Sequence, residues 1–285
     1  MHGSTVRNLL VRGMIAGLLA GLFAFALAYL AGEPSVRASI AQEEARSAPA
    51  HQEVSEGQES SAAHAHGDEE EEEELVSRPV QSTFGLATGV LVYGVAVGGI
   101  ASLVFAVGLG RIGRFGPRAT ATMIAGAAFV TVFLVPFLKY PAAPPAVGSP
   151  DTIGRRTALY FLMILLSVLV ALIAVIAGKR LAPRIGNWNA SLVAGAGYVV
   201  VIALACLVLP SNTDAVPESF PAALLWEFRL ASIAVQAVLW TAFGVIFGVL
   251  AERLLQQGKP GAEPSGTASE ASSQAPSEAP SEAPS

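Results

Sequence analysis

Polar and apolar residues are segregated along this chain into long blocks rather than interleaved. Six apolar blocks run approximately Gly13–Gly32, Phe84–Leu109, Ala119–Leu138, Thr157–Gly178, Ala190–Leu209 and Leu230–Leu250, and none contains an acidic or basic residue. An α-helix rises about 1.5 Å per residue, so about 20 residues cross about 30 Å of hydrocarbon. Each block therefore predicts a membrane-spanning helix, and the fold class is all-α, a polytopic transmembrane bundle of six spans. The first block follows Arg7 and Arg12 and ends in Ala26-Leu27-Ala28, a signal-peptide-like arrangement whose cleavage would leave five spans. Its length and its glycine stripe favour a retained span. Glycines recur four residues apart at Gly13, Gly17 and Gly21, at Gly85 and Gly89, at Gly94 and Gly98, and at Gly244 and Gly248. Such small-xxx-small stripes let helix backbones approach closely in lipid.

The polar blocks divide the chain further. Residues 1–32 form a short N-terminus and the first span, 33–83 a polar acidic loop, 84–251 a bundle of five helices, and 252–285 a polar tail. The stretch Ser35–Pro79 is rich in Glu, Ala, Ser and Gln and lacks the apolar area to fold alone, which predicts disorder. The tail beyond Gly258 repeats Ser-Glu-Ala-Pro, a low-complexity composition. The connectors around Pro141–Pro150 and Ser211–Pro221 are proline-rich and turn-prone.

Composition agrees with the blocks: 53% of the 285 residues are hydrophobic and 14% charged, with mean hydropathy +0.55. A soluble domain carries about 25% charged residues. The net charge of −5 is unevenly spread. Arg7, Arg12, Arg111, Arg114, Arg118, Lys179, Arg180, Arg184, Arg253 and Lys259 gather beside the spans on one side, while the other side carries 17 of the 22 acids. The positive-inside rule then places both termini in the cytoplasm and the long acidic loop outside, in a multi-pass protein of the cytoplasmic membrane. Cys206, the sole cysteine, excludes an intrachain disulfide and reads as a packing residue.

No phosphate-cradling loop, nucleophile elbow, zinc-protease motif or paired-cysteine site occurs, so neither an enzyme nor self-powered ATP-driven transport is expected. Nothing points to nucleic acid. His51, His64, His66, Asp68, Glu69 and Glu70 form a metal-ligand-rich stretch of the acidic loop. Imidazole suits first-row divalent metals and carboxylates complete a mixed shell, while the same stretch also reads as a plain solvated tether. A second group lies where spans meet the outer face: Glu33, Lys139, Tyr140, Trp226, Glu227 and Arg229. These residues read either as interfacial anchors or as paired charges at a water-filled mouth, Lys139 and Arg229 holding the two acids. Within the spans only neutral polar side chains occur, among them Thr88, Ser102, Thr122, Thr131, Ser167, Gln236 and Thr241, against a self-contained proton antiporter. Met14, Met123 and Met163 stand singly, as core fillers do. Pro136 is expected to kink or end the third span and free a backbone carbonyl.

Three segments carry a family resemblance: Glu74-Leu75-Val76-Ser77-Arg78-Pro79-Val80-Gln81-Ser82-Thr83-Phe84-Gly85, Pro136-Phe137-Leu138-Lys139-Tyr140-Pro141-Ala142-Ala143-Pro144-Pro145-Ala146-Val147-Gly148, and Leu225-Trp226-Glu227-Phe228-Arg229-Leu230-Ala231-Ser232. Over roughly residues 5–255 the chain resembles the CbtA-type probable cobalt transporter subunit, its actinobacterial branch above all. Ala143 stands where the family pattern has asparagine. The resemblance implies Co²⁺ as the transported ion, uptake serving cobalamin synthesis, and a small single-span CbtB-type partner with a histidine-rich tail. It implies no permanently bound cofactor, and it usually comes with five spans rather than six. The expectation is a passive or partner-energised divalent-cation permease; the alternatives are a non-transporting accessory subunit and a transporter of an organic solute.

Overall fold

The computed structural model describes residues 3–56 and 81–257, apart from 112, 114, 146, 149, 212–215 and 218. Among the described residues every regular element is helical, and six helices are long and apolar enough to cross a bilayer. They are Gly3–Ala45, Thr83–Gly108, Pro117–Lys139, Ile153–Ile185, Asn187–Val208 and Ala222–Gln257, called here the first to sixth spans. Helices follow from the solvent: in hydrocarbon each backbone N–H and C=O must find its partner within the segment.

The first span packs along the second and the sixth, and the third packs along the sixth. The fourth and fifth form a hairpin that leans on the C-terminal half of the third. The first helix is thus a central member of the bundle, and six is the number of span-length helices. Gly186, at φ 82° in the left-handed region open to glycine, turns the chain between Ile185 and Asn187.

The contact between the first two spans runs backbone to backbone. A methyl group added at Gly17 would collide with the Gly94 carbonyl, and one added at Gly13 with the carbonyl of Gly98 and the side chain of Ser102. Gly244 and Gly248 of the sixth span meet Ala125, Thr122 and Arg118 of the third in the same manner. Gly89 does not share in this: a methyl there would meet nothing within 4 Å. Spacing marks a stripe, but rotation of the helix about its axis decides whether the stripe faces a neighbour. Above and below these contacts Phe105 and Phe247 meet edge-on at 5.1 Å, and Phe243 stacks on Phe247 at 5.3 Å. At the basic end, Arg12 donates from Nη1 to the Leu250 carbonyl at 2.7 Å, and Arg118 pairs with Glu252.

Two expectations are corrected. Residues Glu33–Glu56, expected to begin a disordered loop, are α-helical and continue the first span through a π-helical turn at Ala28–Gly32. The reason is local: the π-helical turn at Ala28–Gly32 accommodates Pro34 inside a continuous helix, and Glu33 faces Arg37 one turn on. The third span, expected to kink or end at Pro136, does not end there. It widens into a π-helical segment at Phe129–Leu134 and carries on through Val135–Lys139.

Replacing Gly17 by leucine should destabilise the bundle by about 1–3 kcal/mol, the usual effect of overpacking. The readout is a lowered thermal midpoint of the detergent-solubilised protein. Gly89→Ala, at an open position of equal spacing, should leave that midpoint unchanged or slightly raised.

Candidate functional site

The ends of the first and third spans away from Arg12 and Arg118 hold the helix breaks and a group of charged residues. The first and third spans share one device, a π-helical segment followed by a residue and then proline. Ala28–Gly32 precedes Glu33-Pro34, and Phe129–Leu134 precedes Val135-Pro136. The Glu33 amide donates to the Ala28 carbonyl and the Val135 amide to the Val130 carbonyl, each five residues back. Proline supplies no N–H and crowds the carbonyl a turn behind it, so the ladder opens by one residue and is short of one donor. Both segments pack against the sixth span. Ser35 Oγ donates to the Gly32 carbonyl at 2.7 Å and Ser39 Oγ to the Ser35 carbonyl at 2.8 Å, which satisfies part of the opened ladder.

Glu33 is 7% exposed, an acid held among buried Ser35 and Ser39. Its Oε1 accepts from Arg37 Nε at 3.1 Å, with the arginine largely in the open. A buried carboxylate is costly unless it is paired and hydrogen-bonded. Arg37 escaped the sequence reading because its segment reads as a loop; the acid-to-base spacing of four beside a proline was the signal available.

The loop after the third span is fixed from three directions. Tyr140 is buried and its hydroxyl donates to the Pro210 carbonyl at 2.8 Å, tying the third span to the end of the fifth. Arg229 Nε donates to the Ala142 carbonyl at 3.3 Å, reaching across from the sixth span. Pro144 is fully buried, and Gly148, at φ 101°, leaves room for the Arg156 guanidinium where a side chain would collide with it. Lys139 Nζ stands 5.9 Å from the centre of the Tyr140 ring. Burial raises the Tyr140 phenol above the ordinary tyrosine value of 10.0, with nearby Cys206 adding to this and Arg155 opposing it. The hydroxyl is therefore a neutral donor at physiological pH.

The pairing expected of Lys139 and Arg229 with the two acids is not what forms. Arg229 is spent on a carbonyl and Lys139 lies by a ring, while Glu33 already has Arg37, because the helix continues where a loop was expected. Glu227 and Trp226 are exposed, the tryptophan at 61%. His51 falls on the helix Glu33–Glu56; its side chain, with His64, His66, Asp68, Glu69 and Glu70, lies outside the described residues. Among the described residues no three His, Cys, Asp or Glu side chains come together as a metal-ligand group.

Deeper in, Ser167 of the fourth span and Tyr198 of the fifth share a hydrogen bond at 2.8 Å. A cleft of about 870 Å³ separates the third span from the hairpin, lined mainly by apolar residues such as Ala127, Ala174 and Ala194, with Thr131, Asn187, Ser191, Tyr198 and Lys179 among them. It holds no acid and offers a cation no charged ligand.

A family model described as "Probable cobalt transporter subunit (CbtA)" matches residues 6–252. No curated protein and no solved structure matches the chain. The match covers all six spans and the rim, and the chain belongs to this family.

Replacing Tyr140 by phenylalanine removes the donor to Pro210 and should cost about 1 kcal/mol. Because the folded phenol resists ionisation, the wild-type advantage is full below pH 10 and shrinks as pH rises above that value. Thermal midpoints of both proteins against pH, near neutrality and in strong alkali, check the sign.

Proposed function

We propose that the chain is the membrane-embedded subunit of an uptake system that brings Co²⁺ inward for cobalamin synthesis, with both termini in the cytoplasm. The observation that carries this reading beyond family membership is the buried Glu33 beside a proline-opened helix, on the side that the charge asymmetry assigns to the exterior. A buried carboxylate among opened carbonyls and serine hydroxyls is an oxygen-rich environment, and oxygen ligands with few fixed constraints hold divalent cations reversibly. The histidines and acids of residues 51–74 would raise the local cation concentration above this mouth. The stretch carries His51, His64, His66 and Asp68 and the glutamates from Glu69 to Glu74.

The six apolar stretches carry no Asp, Glu, His, Lys or Arg for proton coupling and the sequence shows no phosphate-binding loop. Movement is then either downhill or energised by another subunit, for which a single-span partner with a histidine-rich tail is the proposed identity. The fourth and fifth spans favour assembly with further helices: 17% and 6% of their most apolar windows are buried, against 33–39% for the others. The competing reading, an accessory subunit that moves no ion, draws on the same exposed hairpin.

In cells lacking other cobalt importers, expression with the partner should raise ⁵⁷Co²⁺ accumulation, and Glu33→Gln should lower it by about tenfold or more if the carboxylate is a first ligand. A variant lacking His51–Glu74 should lose uptake at low cobalt and regain it at high cobalt. No accumulation by correctly inserted protein would leave the accessory reading in its place.

A further inference from the structure

The sixth span carries a polar step halfway through the membrane that the mouth at Glu33 does not explain. Gln236 and Trp240 sit one turn apart on it, about 9 and 15 Å below the start of the apolar stretch at Leu230. Trp240 is 5% exposed and its indole N–H has no hydrogen-bond partner; the buried Oε1 of Gln236 has none either. The Gln236 carboxamide lies close to the phenol of Tyr93 on the second span, a side chain 39% exposed. Leaving a polar group unpaired in hydrocarbon costs several kcal/mol. A pair of such groups on one helix face is therefore unlike ordinary packing. Beside Trp240 lies a cavity of about 210 Å³ whose lining includes Thr122, Ala237, Thr241 and Gly244, on the face shared with the third span. Thr122 Oγ1 donates back to the carbonyls of Arg118 and Ala119, so its lone pairs remain for an incoming donor.

The donor set identifies the ligand chemistry. Indole N–H donates only, and an amide oxygen accepts or ligates. A bare cation would match the amide and phenol oxygens but not the indole, and an anion would match the indole but not the amide oxygen. Water matches both, and so does a cation that keeps part of its hydration shell. No lysine or arginine lies within the six apolar stretches to repel positive charge at this depth.

We propose that Gln236, Tyr93 and Trp240 form an internal station for a partly hydrated divalent cation, below the mouth at Glu33. Gln236 Oε1 and the Tyr93 oxygen face the ion or its water, while Trp240 N–H and the threonine-lined cavity hold the water it carries. The inference rests on the transport reading, and it adds the route between the rim and the other side.

Cysteine accessibility tests the station apart from uptake. In a Cys206→Ala background, Ala237→Cys is treated from outside with a charged, membrane-impermeant methanethiosulfonate, with and without CoCl₂. Leu207→Cys, on a lipid-facing position 81% exposed, serves as the dry control. The expected result is labelling at 237 and not at 207, slowed several-fold by Co²⁺. Adding Gln236→Leu or Trp240→Phe, which keep side-chain volume, should abolish the slowing. Absence of labelling at 237, or labelling that Co²⁺ leaves unchanged in the otherwise unaltered protein, overturns the station even if uptake is robust. Co²⁺ protection in a protein that accumulates no cobalt would uphold the station and overturn the transport reading instead.

Discussion

The backbone contact between the first and second spans is the constraint on which the rest of the bundle depends. In lipid the hydrophobic effect does not drive helices together, so close packing must. Gly13, Gly17, Gly94 and Gly98 let the two helices touch main chain to main chain, and the sixth span is then packed on the first. The third span reaches the sixth through a lesser version of the same contact, Gly244 and Gly248 against Ala125 and Arg118. Four spans are thereby locked, and the hairpin of the fourth and fifth is left at the side, held by the C-terminal half of the third and by the loop around Tyr140.

The irregular helical features gather in the halves of the first and third spans away from Arg12 and Arg118. The π-helical turns before Pro34 and Pro136 open the backbone ladder on two spans that both face the sixth. Helix regularity lost there is replaced by serine hydroxyls at Ser35 and Ser39. The rim motif Lys139-Tyr140-Pro141 and the arginines Arg156 and Arg229 do something different. They hold a stiff loop over the hairpin, and this gives the most specific part of the family resemblance a structural role before any role in transport.

In the proposed route function divides by depth: the acid stands at the mouth, paired with Arg37, and the Gln236 and Tyr93 oxygens with the Trp240 indole lie below it. That order suits an ion that is gathered by charge and passed on by dipoles, since a carboxylate deeper in the hydrocarbon would hold a divalent cation too firmly to release it.

The sequence by itself determined the six helices, the all-α class and the lipid solvent, because helix length and apolar composition answer to the bilayer alone. It also marked Gly13, Gly17, Gly94 and Gly98, and through the rim motifs the family. It could not tell that Gly89 faces no neighbour while Gly94 does, since spacing carries no rotational phase. It missed the helix from Glu33 to Glu56, where an average over a polar stretch concealed the continuation of the first span and an acid-base pair one turn apart. The partners of Lys139 and Arg229 were likewise out of reach: a carbonyl 87 residues away and a neighbouring ring won over the expected acids. Which polar side chains inside the spans are left unpaired was decided only when the second span laid Tyr93 against Gln236, because burial and partnership belong to pairs of helices and not to either one alone.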